Sequence, residues 1–158
     1  LNQQDFEAYI ERLQNAFSIT GRKFAAEMAE KGMGLTGPQF FILNVLSKKG
    51  RCTVTELAED MMVKPSAITT MVDRLYKSGL VLRKRDESDR RVVYIQLSDL
   101  GAETFEKVRL ERKRTIQRHL SHLEPEELKL LVQLFEKIAG IVTEQHDFQE
   151  KKERSVDE

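Results

Sequence analysis

Residues 53 to 97, TVTELAEDMMVKPSAITTMVDRLYKSGLVLRKRDESDRRVVYIQL, constrain the fold of this chain more than any other stretch. Thr53 and Glu56 have capping-box spacing, in which the hydroxyl accepts from the third helical N–H and the carboxylate accepts from the cap N–H. A helix therefore starts here, with Leu57, Ala58 and Met61 as its inward face. Pro65 suits the first turn of a second helix, where its missing N–H would be unpaired anyway, so the turn between the two lies around Met62 to Lys64.

At about 100° per residue, Ile68, Met71, Val72 and Leu75 fall on one side of that second helix and Ser66, Thr70, Asp73 and Lys77 centre on the other. One face packs; the other is free to meet a partner. Gly79 supplies the left-handed position that commonly ends a helix. Val93 and Ile95 alternate with Tyr94 and Gln96 as in a half-buried strand. Between the strands lies Arg85-Asp86-Glu87-Ser88-Asp89-Arg90-Arg91, a solvated turn whose Asp and Ser side chains can bond their own backbone and whose arginines extend outward. Helix, turn, helix, strand, arginine-rich turn and strand together read as a helix-turn-helix with a wing.

Net charge does not signal a polyanionic partner, since 26 basic residues balance 26 acidic ones. The asymmetry is local. From Lys64 to Arg91 eight bases face four acids, whereas the acidic excess lies elsewhere, notably after Val142. A basic face on a neutral protein is the footprint expected for binding a phosphate backbone.

At 158 residues the chain can form one sizeable core, or a small domain with an oligomerisation element. No apolar run reaches the length of a membrane span, and neither a transmembrane helix nor a signal peptide is expected in these residues. A single cysteine excludes an intramolecular disulfide and points to a cytoplasmic protein.

Phe6, Tyr9, Ile10, Leu13, Phe17, Phe24 and Met28 recur at helical spacing until Gly32 and Gly34 break the pattern. Thr36 to Gln39 restart a helix that is apolar nearly all round, ending at Gly50. Beyond the wing, Ser98 caps a long helix carrying Phe105, Val108, Ile116 and Leu120, and Pro125 opens another with Leu128, Leu131, Leu134, Phe135, Ile138, Ile141 and Val142 on one stripe. That stripe needs cover, and its most economical cover is the first helix and a second copy of the chain. The expected organisation is an N-terminal dimerisation region over 1–34, a winged helix-turn-helix DNA-binding domain over 35–99, C-terminal dimerisation helices over 100–147 and a frayed tail over 148–158. The fold class is mainly α with a small β wing.

The segment TVTELAEDMMVKPSAITTMVDRLYKSGLV resembles the helix-turn-helix of the MarR family of bacterial transcription regulators, and DESDRRVVYIQLSDLG is similar to that family's wing and following helix. The resemblance covers essentially the whole chain. It implies a homodimer on double-stranded DNA, each subunit laying the helix from Pro65 to Lys77 into a major groove and the wing into the flanking minor groove, over a pseudo-palindromic operator. It also implies a repressor released by a small-molecule effector, often an anionic phenolic compound, or by thiol oxidation. Relatives with an oxidation switch carry the reactive cysteine in the N-terminal helix, where this chain has none.

Ser66, Thr69 and Thr70 are the candidates for contacts to base edges or adjacent phosphates. Some family members place an arginine where Thr69 stands, so reading here leans on hydroxyls, water and DNA shape. Arg74 and Lys77 are candidate phosphate ligands, with an ion pair to Asp73 or Glu56 as the alternative for Arg74, and Lys64 and Arg85 are further candidate DNA-binding residues. The resemblance makes Arg91 the wing residue that enters the minor groove, held by Asp89, with Arg90 near the backbone.

Phe17, Phe24, Phe40, Phe41 and Tyr76 are candidate lining for an effector site, by resemblance, although aromatics at helical spacing are more often plain core. Cys52 precedes the Thr53 cap, where Arg51 and a helix N-terminus favour a lowered thiol pKa, yet nothing else supports a redox role and it is read as a passive small residue. His119 and His122, three apart on a predicted helix, have a spacing compatible with metal, but further ligands are not evident, and no metal or cofactor is expected.

No nucleophile, paired-carboxylate or phosphate-loop motif appears, so an enzyme is not expected. The reading is a sequence-specific DNA-binding regulator. Its rivals are a redox- or zinc-responsive regulator of the same fold and a winged-helix module that binds protein.

Overall fold

The computed structural model describes residues 2–30 and 34–154, with side-chain detail through Thr143. Gly32, the expected break after the first helix, and the tail residues 155–158 lie outside the described residues.

Six helices and a three-stranded antiparallel sheet follow the order α1 (Gln3–Glu30), α2 (Gly37–Lys49), β1 (Arg51–Cys52), α3 (Val54–Met61), α4 (Pro65–Lys77), β2 (Val81–Arg85), β3 (Val93–Leu97), α5 (Asp99–Leu120) and α6 (Pro125–Arg154). The fold is mainly helical with a small β wing, as the sequence indicates. Both predicted capping boxes form. The Thr36 hydroxyl accepts from the Gln39 N–H at 3.4 Å while Gln39 Oε1 accepts from the Thr36 N–H at 3.0 Å. At α3 the Thr53 hydroxyl accepts from the Glu56 N–H at 3.2 Å, and the Glu56 carboxylate accepts from the Thr53 N–H at 2.6 Å. The Thr53 hydroxyl also donates to the Glu56 carboxylate at 2.9 Å, and the Thr53 N–H first and this hydroxyl second hold the Glu56 carboxyl below its ordinary pKa.

The turn between α3 and α4 is made by Met62 in the left-handed region, φ 52° and ψ 45°, its N–H donating back to Ala58 O and Glu59 O. Met62 is the only non-glycine residue with positive φ among the described residues. Pro65 occupies the first turn of α4, and Lys64 before it is extended, as a residue preceding proline should be.

The sheet order is β1-β3-β2. The β2–β3 hairpin pairs Val81 with Leu97 and Arg85 with Val93. The sequence reading lacks β1, whose two residues pair Arg51 with Gln96 and Cys52 with Ile95. A strand that short leaves no alternation to read. Ile42, Leu43 and Leu46 of α2 meet Leu57 of α3, Ile68, Val72 and Leu75 of α4, and Ile95 of β3 in one core, each at most 1% exposed. The same core fixes the root of the wing and the inner face of α4.

Ser98 ties the wing to α5. Its hydroxyl donates to the Gly79 carbonyl at 2.6 Å and accepts from the Gly101 N–H at 2.9 Å, while its own N–H donates to the Leu80 carbonyl at 3.1 Å. The three bonds hold the Gly101 backbone hard against Leu80, where an added Cβ would lie 1.8 Å from the Leu80 oxygen. Only glycine fits there.

The chain divides into two compact units, residues 1–112 and residues 113–158. The first holds α1, the winged domain and most of α5. In the second, α5 ends at Leu120, the Glu124 N–H donates to the Glu127 carboxylate at 2.9 Å, and α6 starts at Pro125. His122 therefore sits in the turn beyond α5, and the expectation that it shares a helix with His119 is corrected. Helix α6 passes His146 and continues to Arg154, into the segment 148–158 that the sequence suggests as a frayed tail. Glu, Gln and Lys after His146 are good helix formers, and no Gly or Pro interrupts them.

Candidate nucleic-acid interface

Helix α4 presents Ser66, Thr69, Thr70, Arg74 and Lys77 as exposed side chains beside the buried Ile68, Val72 and Leu75, with Lys64 exposed at its N-cap. Thr69 Oγ1 donates to the Pro65 carbonyl at 3.0 Å and Thr70 Oγ1 to the Ser66 carbonyl at 3.3 Å. Each hydroxyl hydrogen is thus spent on the helix, and the oxygen lone pairs face outward as acceptors. Such an acceptor suits an exocyclic amino group of adenine or cytosine in a major groove.

Arg74 makes no ion pair among the described residues. The two partners considered for it are engaged elsewhere: Glu56 caps α3, and Asp73 pairs with Arg83 of β2. The Arg74 alternative is corrected accordingly.

The wing turn is organised by two aspartates. The Asp86 carboxylate accepts from the Ser88 hydroxyl, from the Ser88 N–H at 2.9 Å and from the Asp89 N–H at 3.1 Å, and these bonds, the hydroxyl first, hold its carboxyl below the usual range. Asp89 Oδ1 accepts from the Arg91 N–H at 3.0 Å and lies 3.3 Å from Arg91 Nε. Arg91 is oriented at its base yet 93% exposed along its side chain. Arg85 and Arg90 are exposed beside it. Arg51 of β1 stacks over the Tyr94 ring, 4.2 Å from the centroid, a base that the sequence reading did not place near the wing.

The five aromatic candidates do not share one cavity. Phe24 lines a hollow of about 480 Å³ with Ala25, Met28, Leu35, Thr36 and Arg112. Arg112 lies over Phe24 at 5.3 Å and over Phe40 at 4.5 Å, and Phe40 in turn stacks on Phe105 at 5.3 Å. Burial alone pulls the Arg112 guanidinium pKa down. In the sequence this residue is one charge among many on α5, so nothing there singles it out. Phe41 lines a different hollow with Pro38, Met61 and Met62. Tyr76 is half exposed beneath Arg83, and Phe17 is half exposed on α1.

Cys52 is 1% exposed within the core, and burial pushes its thiol pKa up, opposite to the lowering that Arg51 and the α3 N-terminus favour. Arg51 is turned to Tyr94 instead. Among the described residues no three His, Cys, Asp or Glu side chains are gathered as a metal site would need, and no helix is long and apolar enough to cross a membrane.

A capped helix, a tight turn, a second helix with an open polar face and an antiparallel hairpin with an arginine tip define the winged helix-turn-helix class of DNA-binding proteins. The MarR family model matches residues 35–93. The HTH-type transcriptional repressor MdtR of Bacillus subtilis is 41% identical over 129 residues, which span 80% of this chain and 83% of that protein. A MepR-like protein complexed with pseudoligands superposes with a TM-score of 0.62 at 42% identity, covering 85% of this chain and 96% of that one. A mutant MarR from E. coli complexed with operator DNA superposes with a TM-score of 0.69 at 26% identity, covering 82% and 95%. The chain belongs to the MarR family: it is a DNA-binding regulator of transcription and not an enzyme.

Proposed function

We propose that the protein is a cytoplasmic, homodimeric repressor that binds a pseudo-palindromic operator and is released by a small anionic aromatic effector. Each subunit lays α4 into a major groove, with the two copies about one DNA turn apart, and sets its wing in the flanking minor groove. The observation that carries the reading is Arg91, oriented by Asp89 at its base and 93% exposed along its length. A narrow minor groove concentrates negative potential and attracts such a side chain. Ser66, Thr69 and Thr70 contact base edges or the neighbouring backbone, and Lys64, Arg74, Lys77, Arg85 and Arg90 contact phosphates. The named repressor and the operator complex among its relatives support this assignment.

The effector reading rests on Arg112. Its half-buried guanidinium borders an apolar hollow, and with burial pulling its pKa down it gains from a carboxylate or phenolate. Phe24 would lie against the aromatic ring, whereas Phe41, Tyr76 and Phe17 have no part in that hollow.

Fluorescence anisotropy on a duplex selected from random genomic fragments tests the DNA roles. Neutralising phosphates makes log affinity fall linearly with log salt, by about 0.9 per contact. Arg91→Ala is expected to weaken binding to every duplex and most at A·T-rich flanks. Thr70→Ala changes preference within the half-site by less than the roughly 1–3 kcal/mol of a bidentate base contact. Affinity indifferent to salt, or equal and sequence-independent losses from both variants, would overturn the assignment.

A further inference from the structure

We infer that Arg83 is a positioning residue that couples the wing to the recognition helix, and that it is not a DNA contact. The inference rests on the operator-binding reading of α4 and the wing. By charge alone, Arg83 belongs with Lys84 and Arg85 among the bases of this face. Its geometry separates it from them. Arg83 Nη2 donates to Asp73 Oδ1, and its guanidinium carbon lies 5.2 Å from the Tyr76 ring centroid. Asp73 and Tyr76 are three residues apart on α4, so they are neighbours on its surface and offer one guanidinium a carboxylate and a ring together. A lysine ammonium is a compact point charge, whereas the extended guanidinium meets the carboxylate with one nitrogen while its carbon lies over the ring.

Two consequences follow for DNA. Asp73 is the one carboxylate of α4, and left bare it would repel the phosphates that the helix approaches. Arg83 cancels that charge without spending a base from Arg74 or Lys77. Arg83 also sits in the middle of β2, paired across the hairpin with the core residue Ile95. The bond to Asp73 therefore ties the angle of the wing to the rotation of α4, so that hydroxyl contacts in one groove and Arg91 in the next engage in register. Because the Arg83 and Asp73 side chains are 36% and 46% exposed, solvent screens the pair and it adds little to folding stability. Its effect is on where charge points and on how two reading elements are held.

The test measures the full-length chain by fluorescence anisotropy between about 50 and 200 mM salt. The probes are a duplex that the wild type selects from random fragments and a shuffled duplex of the same composition. Arg83→Gln combined with Asp73→Asn removes the pair without leaving either charge bare, and is expected to keep the salt slope unchanged while the preference for the selected duplex falls about threefold or more, since the coupling of two elements is lost but no phosphate contact is. Asp73→Asn frees the guanidinium: the slope steepens by about 0.9, shuffled-duplex binding tightens, and preference falls. A slope shallower by about one contact in the double variant would make Arg83 a phosphate ligand and overturn the inference. Unchanged preference in both variants would overturn it too. A wild type that binds both duplexes equally would instead sink the operator reading on which the inference rests.

Discussion

Met62 occupies the left-handed well, φ 52°, where an L side chain costs about 1–2 kcal/mol that glycine does not incur. At 67% exposure its side chain recovers little of that by burial. Met62→Gly is therefore expected to raise stability by about 0.5 kcal/mol, the gain being trimmed by glycine's larger unfolded-state entropy. Met62→Val should lose about 1 kcal/mol or more, because a β-branched residue is least at ease there. Urea denaturation distinguishes the pair, and a destabilised glycine variant would show that the methionine contacts outweigh the strain. The sequence places this turn between Met61 and Pro65 but carries no Gly or Asn at its left-handed position, so the strain itself was not legible. The same limit applies to Arg74, Arg83 and Arg112. Their residue type is plain, but whether a guanidinium is open, paired or stacked on rings depends on neighbours brought in from other elements.

Helix starts with a local chemical signature are legible in the sequence. Thr53 and Glu56, Thr36 and Gln39, Pro65 and Pro125 each start a helix where capping and proline geometry require it. What escaped is set by long-range pairing, as with β1, which exists only because β3 offers Cys52 and Arg51 partners. Gly101 stands between these cases. Its place after Ser98 is visible in the sequence, but the reason for glycine is the Leu80 carbonyl, 1.8 Å from where a Cβ would stand. Gly101→Ala must push α5 away from the root of the wing, and overpacking of this kind costs about 1–3 kcal/mol. Because the contact is with backbone that cannot yield by a rotamer change, the upper end is expected. A melting temperature within a degree or two of the wild type would show that α5 can shift freely, since a loss of about 1 kcal/mol moves the midpoint of a domain this size by roughly 2–4 °C or more.

On the scale of the whole molecule, the single chain leaves much apolar surface in water. Phe6, Tyr9, Leu13 and Phe17 of α1 and Leu134, Phe135, Ile138 and Val142 of α6 are 47–58% exposed. Fully burying such a side chain is worth roughly 1.5–3 kcal/mol, so covering half-exposed residues on two subunits can exceed the roughly 4–15 kcal/mol that association costs. That balance favours a second copy of the chain over a solvated monomer. Leu134→Asp with Ile138→Asp would set two carboxylates at the centre of the α6 stripe, where burial without a partner is prohibitive. The double variant is expected to sediment as a monomer in analytical ultracentrifugation while the winged domain keeps its fold. Its affinity for the full operator should fall about 100-fold or more, because two half-sites held by one dimer bind at an effective concentration that separate chains lack. Binding to an isolated half-site, which needs only α4 and one wing, should change little. A double variant that still sediments as a stable dimer and holds the operator normally would show that the α6 stripe is covered by something other than its own copy.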